Sequence, residues 1–348
     1  MKVAILGDTG PGYICPMMQG LDRMLRKLEC KTVLPPYGIK MLSKSPGLKG
    51  NVKTRFFRPY SSLLSDCDAI VVVQHLQDAF RTSLKIDELR LIFPDKPIIL
   101  YDLVYLPTVG LWGPWLEPSG PDSIRGLDRY DWYLCVSAQN RLPMPEGNQP
   151  CSEIGIDLDD GTLFPDQKGS FRALVDFERE AFPRERQVQL DALKKTGTEY
   201  TVLSGRYSIS EIRAIYRTCS IYFLAHMESF GVPICELQAC GSYILTPYSE
   251  WCDAHRLLES SGLSPNFIVY GDNEQDLVQA IEKLKADMNP QKVAERFHEY
   301  HGHFMTGNLN ALQNMLDKIS RNEITGQSHQ NYKNMTQQIQ QRPNDLKV

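Results

Sequence analysis

The residues whose types and spacing best suit chemistry lie in the segment HMESFGVPICELQACG, residues 226–241. The segment follows an apolar run, SIYFLA, that is typical of a buried strand, and its second half has the composition of a helix. Glu228 lies before this helix and Glu236 lies within it. The backbone N–H groups of residues 229–231 would then stand at a helix N-terminus, where unpaired donors and the helix dipole favour phosphate or sugar oxygens.

Two carboxylates placed in this way can bind hydroxyl groups on two parts of one ligand. We expect Glu236 about one turn inside the helix and Glu228 in the loop that precedes it. The alternative is structural, with the helix capped by Ser229 or Glu228 and with Glu236 buried for packing. The spacing alone leaves both interpretations open.

The stretch from Gly205 to Pro247 carries a longer pattern. It is similar to the donor-binding core of family 4-like retaining glycosyltransferases of the GT-B fold, a group that includes sucrose synthases and bacterial lipopolysaccharide mannosyltransferases. Their pattern E-x-F-G-x-P-x-x-E-x-x-A-x-G is matched position by position by Glu228, Phe230, Gly231, Pro233, Glu236, Ala239 and Gly241. The resemblance is close over this stretch and loose over the rest of the lobe.

This resemblance implies a nucleoside-diphosphate sugar as co-substrate, with no other cofactor. Glu228 would contact hydroxyls of the transferred sugar, and Glu236 would bind the ribose. The implied donor-binding positions of this lobe are Gly205, Arg206, His226, Ser229, Phe230, Gly231, Val232 and Glu236. In the first lobe the turn GDTGPG adds Gly10 and Gly12, which allow close backbone approach, although a plain strand-to-helix turn fits them equally well.

Members of the family also place an Arg just after the first strand of this lobe and a second basic residue five or six positions on. Both contact the diphosphate. Here FRALVDFEREAFPRER offers Arg179 and Arg184, with Arg186 as a substitute, although the usual Gly before the first Arg is missing. A guanidinium pair suits this role because it binds phosphate oxygens bidentately and neutralises the charge on the departing nucleoside diphosphate. With Glu228, these arginines are the predicted catalytic residues.

The first lobe departs from the family pattern after its fourth strand. Many relatives carry a His there that faces the anomeric carbon, whereas KPIILYDLVYLP has Tyr101 and Asp102. Asp102 could accept the proton of the acceptor hydroxyl, or it could end the strand without any chemistry. On the acceptor side we also place His75, together with Trp112 and Trp115 from a long loop rich in Pro and Gly, which would either close over the acceptor or pack on the sheet.

Two patterns resemble metal ligands, and we expect neither to bind a metal. DLDD, residues 157–160, contains an Asp-x-Asp of the kind that holds a divalent ion in the other large glycosyltransferase fold, but it lies in a predicted linker. HEYHGHF brings His298, His301 and His303 together on a polar stretch, where we expect them to face solvent. We therefore predict metal-independent transfer, with arginines and a helix dipole in place of the ion.

Short apolar runs alternate with helical stretches along the chain, which predicts an α/β protein. Together with the resemblance, this alternation predicts the GT-B fold, in which two Rossmann-like, doubly wound lobes face each other across a cleft. The predicted parts are an acceptor lobe at 1–150, a linker at 151–170, a donor lobe at 171–304, a C-terminal helix at 305–321 that packs back on the first lobe, and a flexible tail at 322–348.

Composition agrees with this organisation. The 348 residues are enough for two domains, and the net charge of −4 is close to neutral. The nine cysteines are scattered without a CxxC pair, which indicates reduced thiols. No basic-then-apolar leader and no long apolar run occurs, so we expect a cytoplasmic protein without a transmembrane segment. Peripheral association with a membrane is the alternative.

The charge is unevenly distributed, because residues 31–65 contain seven basic side chains and no acidic one. A stretch of this kind is either a solvated face or a field that attracts an anionic acceptor. Acceptors of the second kind include a lipid phosphate, a polyanionic glycan and DNA.

The predicted function is transfer of a sugar from a nucleoside-diphosphate sugar to a hydroxyl acceptor with retention of configuration. Two alternatives stay open: a non-catalytic nucleotide-sugar-binding protein, and a nucleotide-sugar epimerase of the same fold. Turnover separates the three, since only a transferase needs an acceptor to release nucleoside diphosphate, and only an epimerase forms a new nucleotide sugar without one.

Overall fold

The computed structural model describes residues 1–7, 14–34, 63–73, 86–104, 130–137, 150–166, 170–178, 180, 182–224, 228, 230–247, 255, 262–271 and 273–332. The chain divides into two compact units. The first unit contains the N-terminal part up to Asp157 and the C-terminal part from Thr306, and the second contains Leu158–Met305. No helix within the described residues has the length and apolarity needed to cross a membrane.

The first unit contains a six-stranded parallel sheet in the order β2-β1-β3-β4-β5-β6. Its strands are β1 (Lys2–Gly7), β2 (Lys31–Val33), β3 (Ala69–Val73), β4 (Ile98–Val104), β5 (Trp132–Ser137) and β6 (Cys151–Glu153). Helix α1 (Ile14–Lys27) connects β1 to β2, and α2 (Ile86–Ile92) lies between β3 and β4. Every residue of β3 is buried, which is expected for a central parallel strand that is covered on both faces.

The second unit contains a five-stranded parallel sheet in the order β11-β10-β9-β7-β8. Its strands are β7 (Arg172–Val175), β8 (Glu199–Val202), β9 (Ile221–Phe223), β10 (Tyr243–Pro247) and β11 (Phe267–Tyr270). Its helices are α3 (Pro183–Lys195), α4 (Ile209–Arg217), α5 (Val232–Ala239), α6 (Glu274–Asp287), α7 (Pro290–His301) and α8 (His303–Thr306). The predicted class, two parallel α/β units of the doubly wound kind, is confirmed.

Helices cover both faces of the second sheet because alternate strand residues point to opposite sides. Val175 and Phe223 pack in one buried cluster, with Ala192 and Leu193 of α3 and with residues of α6. Leu174 and Tyr222, one position earlier in each strand, pack in the other cluster with residues of α4 and α5. The central strands are therefore apolar on both sides.

The strand order fixes where a ligand can bind in the second unit. The chain runs from β7 to β8 on one side and then returns to β9 on the other side of β7. This reversal leaves a crevice at the carboxyl ends of β7 and β9, which is the usual ligand position in open parallel sheets. The loops that follow these two strands are where binding residues are expected.

The predicted linker at 151–170 is wrong over its first residues. Residues 151–153 form β6, which pairs with β5, and the first unit continues to Asp157. The carboxylate of Asp157 accepts hydrogen bonds from Arg23 Nε (3.0 Å) and Lys27 Nζ (2.8 Å) on α1. A strand of three residues is too short to show the alternation of apolar and polar residues by which a strand is recognised in a sequence.

The predicted flexible tail is also wrong as far as it is described. Helix α9 (Leu309–Ser320) lies against β6, and the chain then folds over the first unit to a 3₁₀-helix, Ser328–Tyr332. Ile324 is almost fully buried. Residues 333–348 of the predicted tail lie outside the described residues.

Asp131 holds this C-terminal segment to the sheet. Its buried carboxylate accepts hydrogen bonds at Oδ2 from Arg90 Nη2 (2.6 Å) and the Ile98 amide (2.8 Å). At Oδ1 it accepts the His329 amide (2.9 Å), and His329 Nδ1 lies at the same distance. One buried charge thus joins α2, β4 and the C-terminal segment.

We predict that Asp131→Asn lowers the free energy of unfolding by about 3–5 kcal/mol, because an amide cannot replace a buried carboxylate that faces several donors. Urea unfolding checks this. Asp317→Asn is the control, since that exposed carboxylate accepts only a hydrogen bond from Gln313 on its own helix, and its effect should stay within about 0.5 kcal/mol. Equal stability of the two variants would contradict the role of Asp131.

Candidate functional site

Helix α5 begins at the crevice beside β9, and its N-terminus has free backbone donors. Its N-cap residue is Gly231, which has no side chain that could accept a hydrogen bond from the first amides of the helix. The Cys235 amide donates to Gly231 O (3.2 Å), and Pro233 has no N–H. The N–H groups of Val232 and Ile234 have no acceptor among the described residues. Unused donors at a helix N-terminus favour an anion or sugar oxygens.

The Gly231 amide, which we expected to face the ligand, has a different partner. Its N–H donates to Nε2 of His255 (3.3 Å) within the protein interior. Ser229 and His226, the other predicted residues of this loop, lie outside the described residues. Phe230 is buried and packs against the His255 ring.

Glu228 is partly exposed and lies directly beside Gly231. A Cβ atom at position 231 would stand 2.9 Å from the Glu228 carboxyl carbon and from Oε1, so a side chain there would displace the carboxylate. The positive end of the helix dipole stabilises a carboxylate at this place. Burial raises the pKa of Tyr222 on β9, and the charges of Asp176 and Glu228 add to the rise, which places Glu228 near the crevice.

Glu236 lies one turn into α5 and is only 5% exposed. Arg213 of α4 donates to its Oε1 from both Nε (3.0 Å) and Nη2 (2.7 Å) and leaves Oε2 unused. Burial raises the pKa of Glu236, and the charge and hydrogen bonds of Arg213 limit the rise. The carboxylate is therefore paired inside the unit with the fixed guanidinium of Arg213, which opposes its protonation.

Arg213 also binds the segment that enters the second unit. Its Nη1 donates to Asp160 Oδ2 and to Thr162 Oγ1 (2.9 Å). Partial burial acts to raise the pKa of Asp160, but hydrogen bonds from Thr162 and the charge of Arg213 outweigh it and hold the pKa below its ordinary value. The sequence signal for Arg213, missed in our predictions, is a cation within the apolar run IRAIY, which indicates a buried ion pair.

The acids of DLDD thus have separate partners. Asp157 binds α1 in the first unit, Asp159 accepts from the Gly161 amide (3.3 Å), and Asp160 binds Arg213 in the second unit. Each carboxylate has a structural partner of its own.

A buried arginine lies at the carboxyl end of β7, and it is the predicted substitute, Arg186. Arg184 is exposed in the first turn of α3, and Arg179 lies outside the described residues. Arg186 is buried, and its Nη2 donates to the carbonyls of Asp176 (2.6 Å) and Phe177 (2.8 Å). Its Nε and Nη1 are buried without a hydrogen-bond partner among the residues that the structure describes. Burial lowers the pKa of Arg186, and the nearby Asp176 opposes that shift.

The predicted residues at the end of β8 are at the surface. Gly205 has a positive φ of 74°, a conformation that glycine adopts without strain, and Arg206 beside it is exposed. Ser208 and Glu211 then form a capping box that starts α4, which carries Arg213. The turn therefore sets the position of the Arg213 helix.

In the first unit, Asp102 lies within β4 and not beyond its end. It is buried, its Oδ1 accepts the Leu103 amide (2.7 Å), and it pairs in register with Cys135. Tyr101 is fully buried and donates from its hydroxyl to Gly155 O (2.7 Å). The other residues predicted in this unit, Gly10, Gly12, His75, Trp112 and Trp115, lie outside the described residues.

Behind the α5 N-terminus lies a buried aromatic cluster that includes two histidines. His255 stacks on Phe230 with ring centroids 5.1 Å apart, and His301 stacks on Phe304 at 5.1 Å. The expectation that the histidines of HEYHGHF face solvent is wrong for His301, which is buried, whereas His298 is exposed. Helix α7 turns His301 inward because it follows Phe297 by one helical turn.

No family model and no curated protein sequence matches the chain. Solved structures do. A protein assigned as a UDP-N-acetylglucosamine 2-epimerase from Listeria monocytogenes aligns at 12% identity with a TM-score of 0.59, over 92% of this chain and 95% of that one. The UDP-GlcNAc 2-epimerase of Neisseria meningitidis, bound to UDP-GlcNAc, aligns at 12% identity and a TM-score of 0.55, over 92% and 100%.

A third structure is an alpha-glucosyltransferase in complex with UDP and a 13-mer DNA containing an HMU base. It aligns at 12% identity and a TM-score of 0.52, over 92% of this chain and 99% of that one. Identities this low show the fold alone. The predicted GT-B fold is confirmed, whereas the family 4 resemblance and its two-glutamate motif stay predictions.

We predict that stability falls in mild acid because two histidines are buried in the neutral form. Burial lowers the pKa of His255 to about 3 and that of His301 to about 4, from 6.5. Below pH 6.5 these two histidines bind protons in the unfolded chain but stay neutral in the folded chain. Each histidine therefore lowers the free energy of unfolding by about 1.4 kcal/mol per pH unit, until its folded-state pKa is reached.

Urea unfolding between pH 7 and pH 4.5 measures this slope. The double variant His255→Phe/His301→Phe should lose most of it, and His298→Phe, the exposed control on α7, should keep it. A double variant with the same slope as the wild type would contradict the assignment.

Proposed function

We propose that this chain is a glycosyltransferase that moves a sugar from a nucleoside-diphosphate sugar to a hydroxyl acceptor, with retention and without a metal ion. The observation that carries the proposal is a buried Glu236, paired with Arg213, on the helix whose first amides have no acceptor among the described residues. Glu236 and these amides lie at the strand-order reversal of the second sheet, where parallel α/β units bind nucleotides.

The donor nucleotide would contact both the Glu236 carboxylate and the backbone amides at the start of α5. Glu236 Oε2, which Arg213 leaves unused, would accept hydrogen bonds from ribose hydroxyls. The amides of Val232 and Ile234 would bind diphosphate or sugar oxygens. Arg186 lies at the end of β7, and its Nε and Nη1 have no hydrogen-bond partner among the described residues. Its burial supports it as the diphosphate cation in place of the exposed Arg184.

Glu228 would bind the transferred sugar. It is partly exposed, stands next to the free amides, and has no room to move towards Gly231. A fixed carboxylate at this point can hold sugar hydroxyls and stabilise positive charge at the anomeric carbon. Retention, metal independence and a cytoplasmic location rest on the resemblance and the composition.

An epimerase acting on a nucleotide sugar is the second candidate. Two solved structures with TM-scores of 0.59 and 0.55 are named as UDP-N-acetylglucosamine 2-epimerases, and the donor groups described above would serve either reaction. A non-catalytic nucleotide-sugar-binding protein is the third. Incubation with UDP-, GDP- and ADP-sugars, with and without acceptors, separates them by the products formed.

The acceptor is proposed to be anionic. The proposal rests on the basic stretch at 31–65, of which the greater part lies outside the described residues. The alpha-glucosyltransferase with a similar fold is bound to DNA, and a lipid phosphate or a polyanionic glycan would be attracted by the same charge.

We predict that Glu228→Ala lowers kcat by about 100-fold or more while the affinity for the nucleoside diphosphate stays within about twofold, because Glu228 is assigned to the sugar. Product formation and calorimetric binding of UDP, GDP and ADP measure the two effects. Glu295→Ala, at an exposed position of the same unit, is the control. Full turnover by Glu228→Ala would remove the proposed sugar site.

We predict that Arg213→Gln makes nucleotide binding depend on pH. Without the guanidinium, burial alone acts on Glu236 and raises its pKa further, so the acid becomes protonated near neutral pH. Affinity for the preferred nucleoside diphosphate should then fall by about tenfold or more from pH 8 to pH 6, as expected when a hydrogen bond to a charged group is lost.

Calorimetric titrations at both pH values test this against the wild type and Arg217→Gln, a control one turn further along α4. The Glu236→Gln variant should bind the nucleoside diphosphate weakly at both pH values. If Arg213→Gln binds like the wild type throughout, then Glu236 has no part in the site.

A further inference from the structure

One side chain contacts Phe230 and Gly231 in the turn that leads from Glu228 into α5. His255 stacks on Phe230 with an angle of 3° between the rings, and its Nε2 accepts the Gly231 N–H at 3.3 Å. All three residues are buried. His255 comes from a segment 24 residues further along the chain, so the contact joins two separate parts of the second unit.

The contact fixes the chemical form of the ring. Nε2 can accept the Gly231 N–H only when it carries no proton, so the hydrogen of the neutral ring is on Nδ1. Within the described part of the chain, Nδ1 is buried without a hydrogen-bond partner. Burying an N–H in this way is unfavourable, and a phenylalanine would fill the same space without that cost. What histidine adds at this position is the acceptor for Gly231.

The surroundings keep the ring in place and uncharged. Phe267 and Phe304 lie against it, with ring centroids 5.2 Å and 6.1 Å away. His301 is the titratable side chain that faces it, with ring centroids 6.4 Å apart, and it hydrogen-bonds to the His255 backbone. A second proton on His255 would be opposed by this apolar cage and would break the bond to Gly231.

The position of Gly231 in turn decides the position of Glu228. The carboxyl carbon and Oε1 of Glu228 lie 2.9 Å from the point where a Cβ of residue 231 would stand, so a rotation of the Gly231 backbone changes the space available to the carboxylate. We propose that His255 is a positioning residue: by accepting the Gly231 N–H and stacking on Phe230, it fixes this turn and thereby directs the Glu228 carboxylate towards the sugar. The inference rests on the proposed function of Glu228.

Two variants separate the acceptor from the ring. His255→Phe keeps the stacking and removes the acceptor, whereas His255→Gln keeps an acceptor and removes the ring. We expect His255→Phe to lower kcat by about tenfold, with affinity for UDP, GDP or ADP nearly unchanged and thermal stability not reduced. His255→Gln should recover much of the kcat in spite of lower stability. His298→Phe, exposed on α7, should match the wild type.

A packing role alone predicts the opposite order, because activity would then follow stability and His255→Phe would be the better variant. Wild-type kcat in His255→Phe would overturn the inference. If the wild type turns over none of the nucleotide sugars, the proposed function fails, and the turn is then examined by two measurements that need no activity.

The first is long-range ¹⁵N–¹H NMR of histidine-labelled protein, in which the His255 ring should be neutral with its proton on Nδ1 from pH 8 to pH 6. The second is amide hydrogen exchange, in which His255→Phe should speed exchange at Gly231 by about tenfold and His255→Gln should restore protection. A ring protonated on Nε2, or unchanged exchange in His255→Phe, would overturn the contact itself.

Discussion

Arg213 holds two carboxylates in place within the second unit, and much of the site depends on it. A buried carboxylate such as Glu236 is unfavourable unless a cation compensates it, and Arg213 is the cation that does so. The same guanidinium binds Asp160, a few residues after the chain enters the unit. Helix α4, helix α5 and the entering segment are therefore joined at one charged centre, and Glu236 is held beside Arg213 close to the crevice.

The position of this centre follows from the sheet. In a parallel sheet all carboxyl ends lie on one edge, so the loops after β7, β8 and β9 meet there. Helix α5 starts at this edge with a glycine N-cap and a proline in its first turn, and two of its first amides have no acceptor in the described part of the chain. Backbone and side chains thus supply donors and acceptors at the same edge, a combination that suits a ligand with both phosphates and hydroxyls.

Local patterns made much of this arrangement predictable. The apolar runs predicted most strands of both sheets, although not β2 or β6, and the spacing of Glu228, Gly231 and Glu236 placed them around one helix start. What the sequence could not give was the set of partners. The pairing of Arg213 with Glu236 depends on how α4 packs on α5, and the contact of His255 with Gly231 depends on a distant loop. Neither contact can be predicted from the periodicity of a short stretch of sequence.

The same limit applies to the arginines near β7 and to the C-terminal segment. Arg184 and Arg186 are two residues apart, and only the rotation of α3 decides which one faces inward. The C-terminal segment appeared polar enough to stay in solution, yet Asp131 binds it through His329, 198 residues away. Polar segments that dock by buried hydrogen bonds carry no apolar pattern, so composition alone misassigns them.

The proposed function requires that a nucleoside diphosphate binds at the start of α5, between β7 and β9 of the second unit. Hydrogen–deuterium exchange of the full chain with and without saturating UDP, GDP or ADP tests it directly. One of these ligands should slow exchange at Val232, Ile234 and the residues that follow β7, and should leave the C-terminal segment around Asp131 unchanged. Protection confined to the first unit, or none with any of the three nucleotides, would contradict the account.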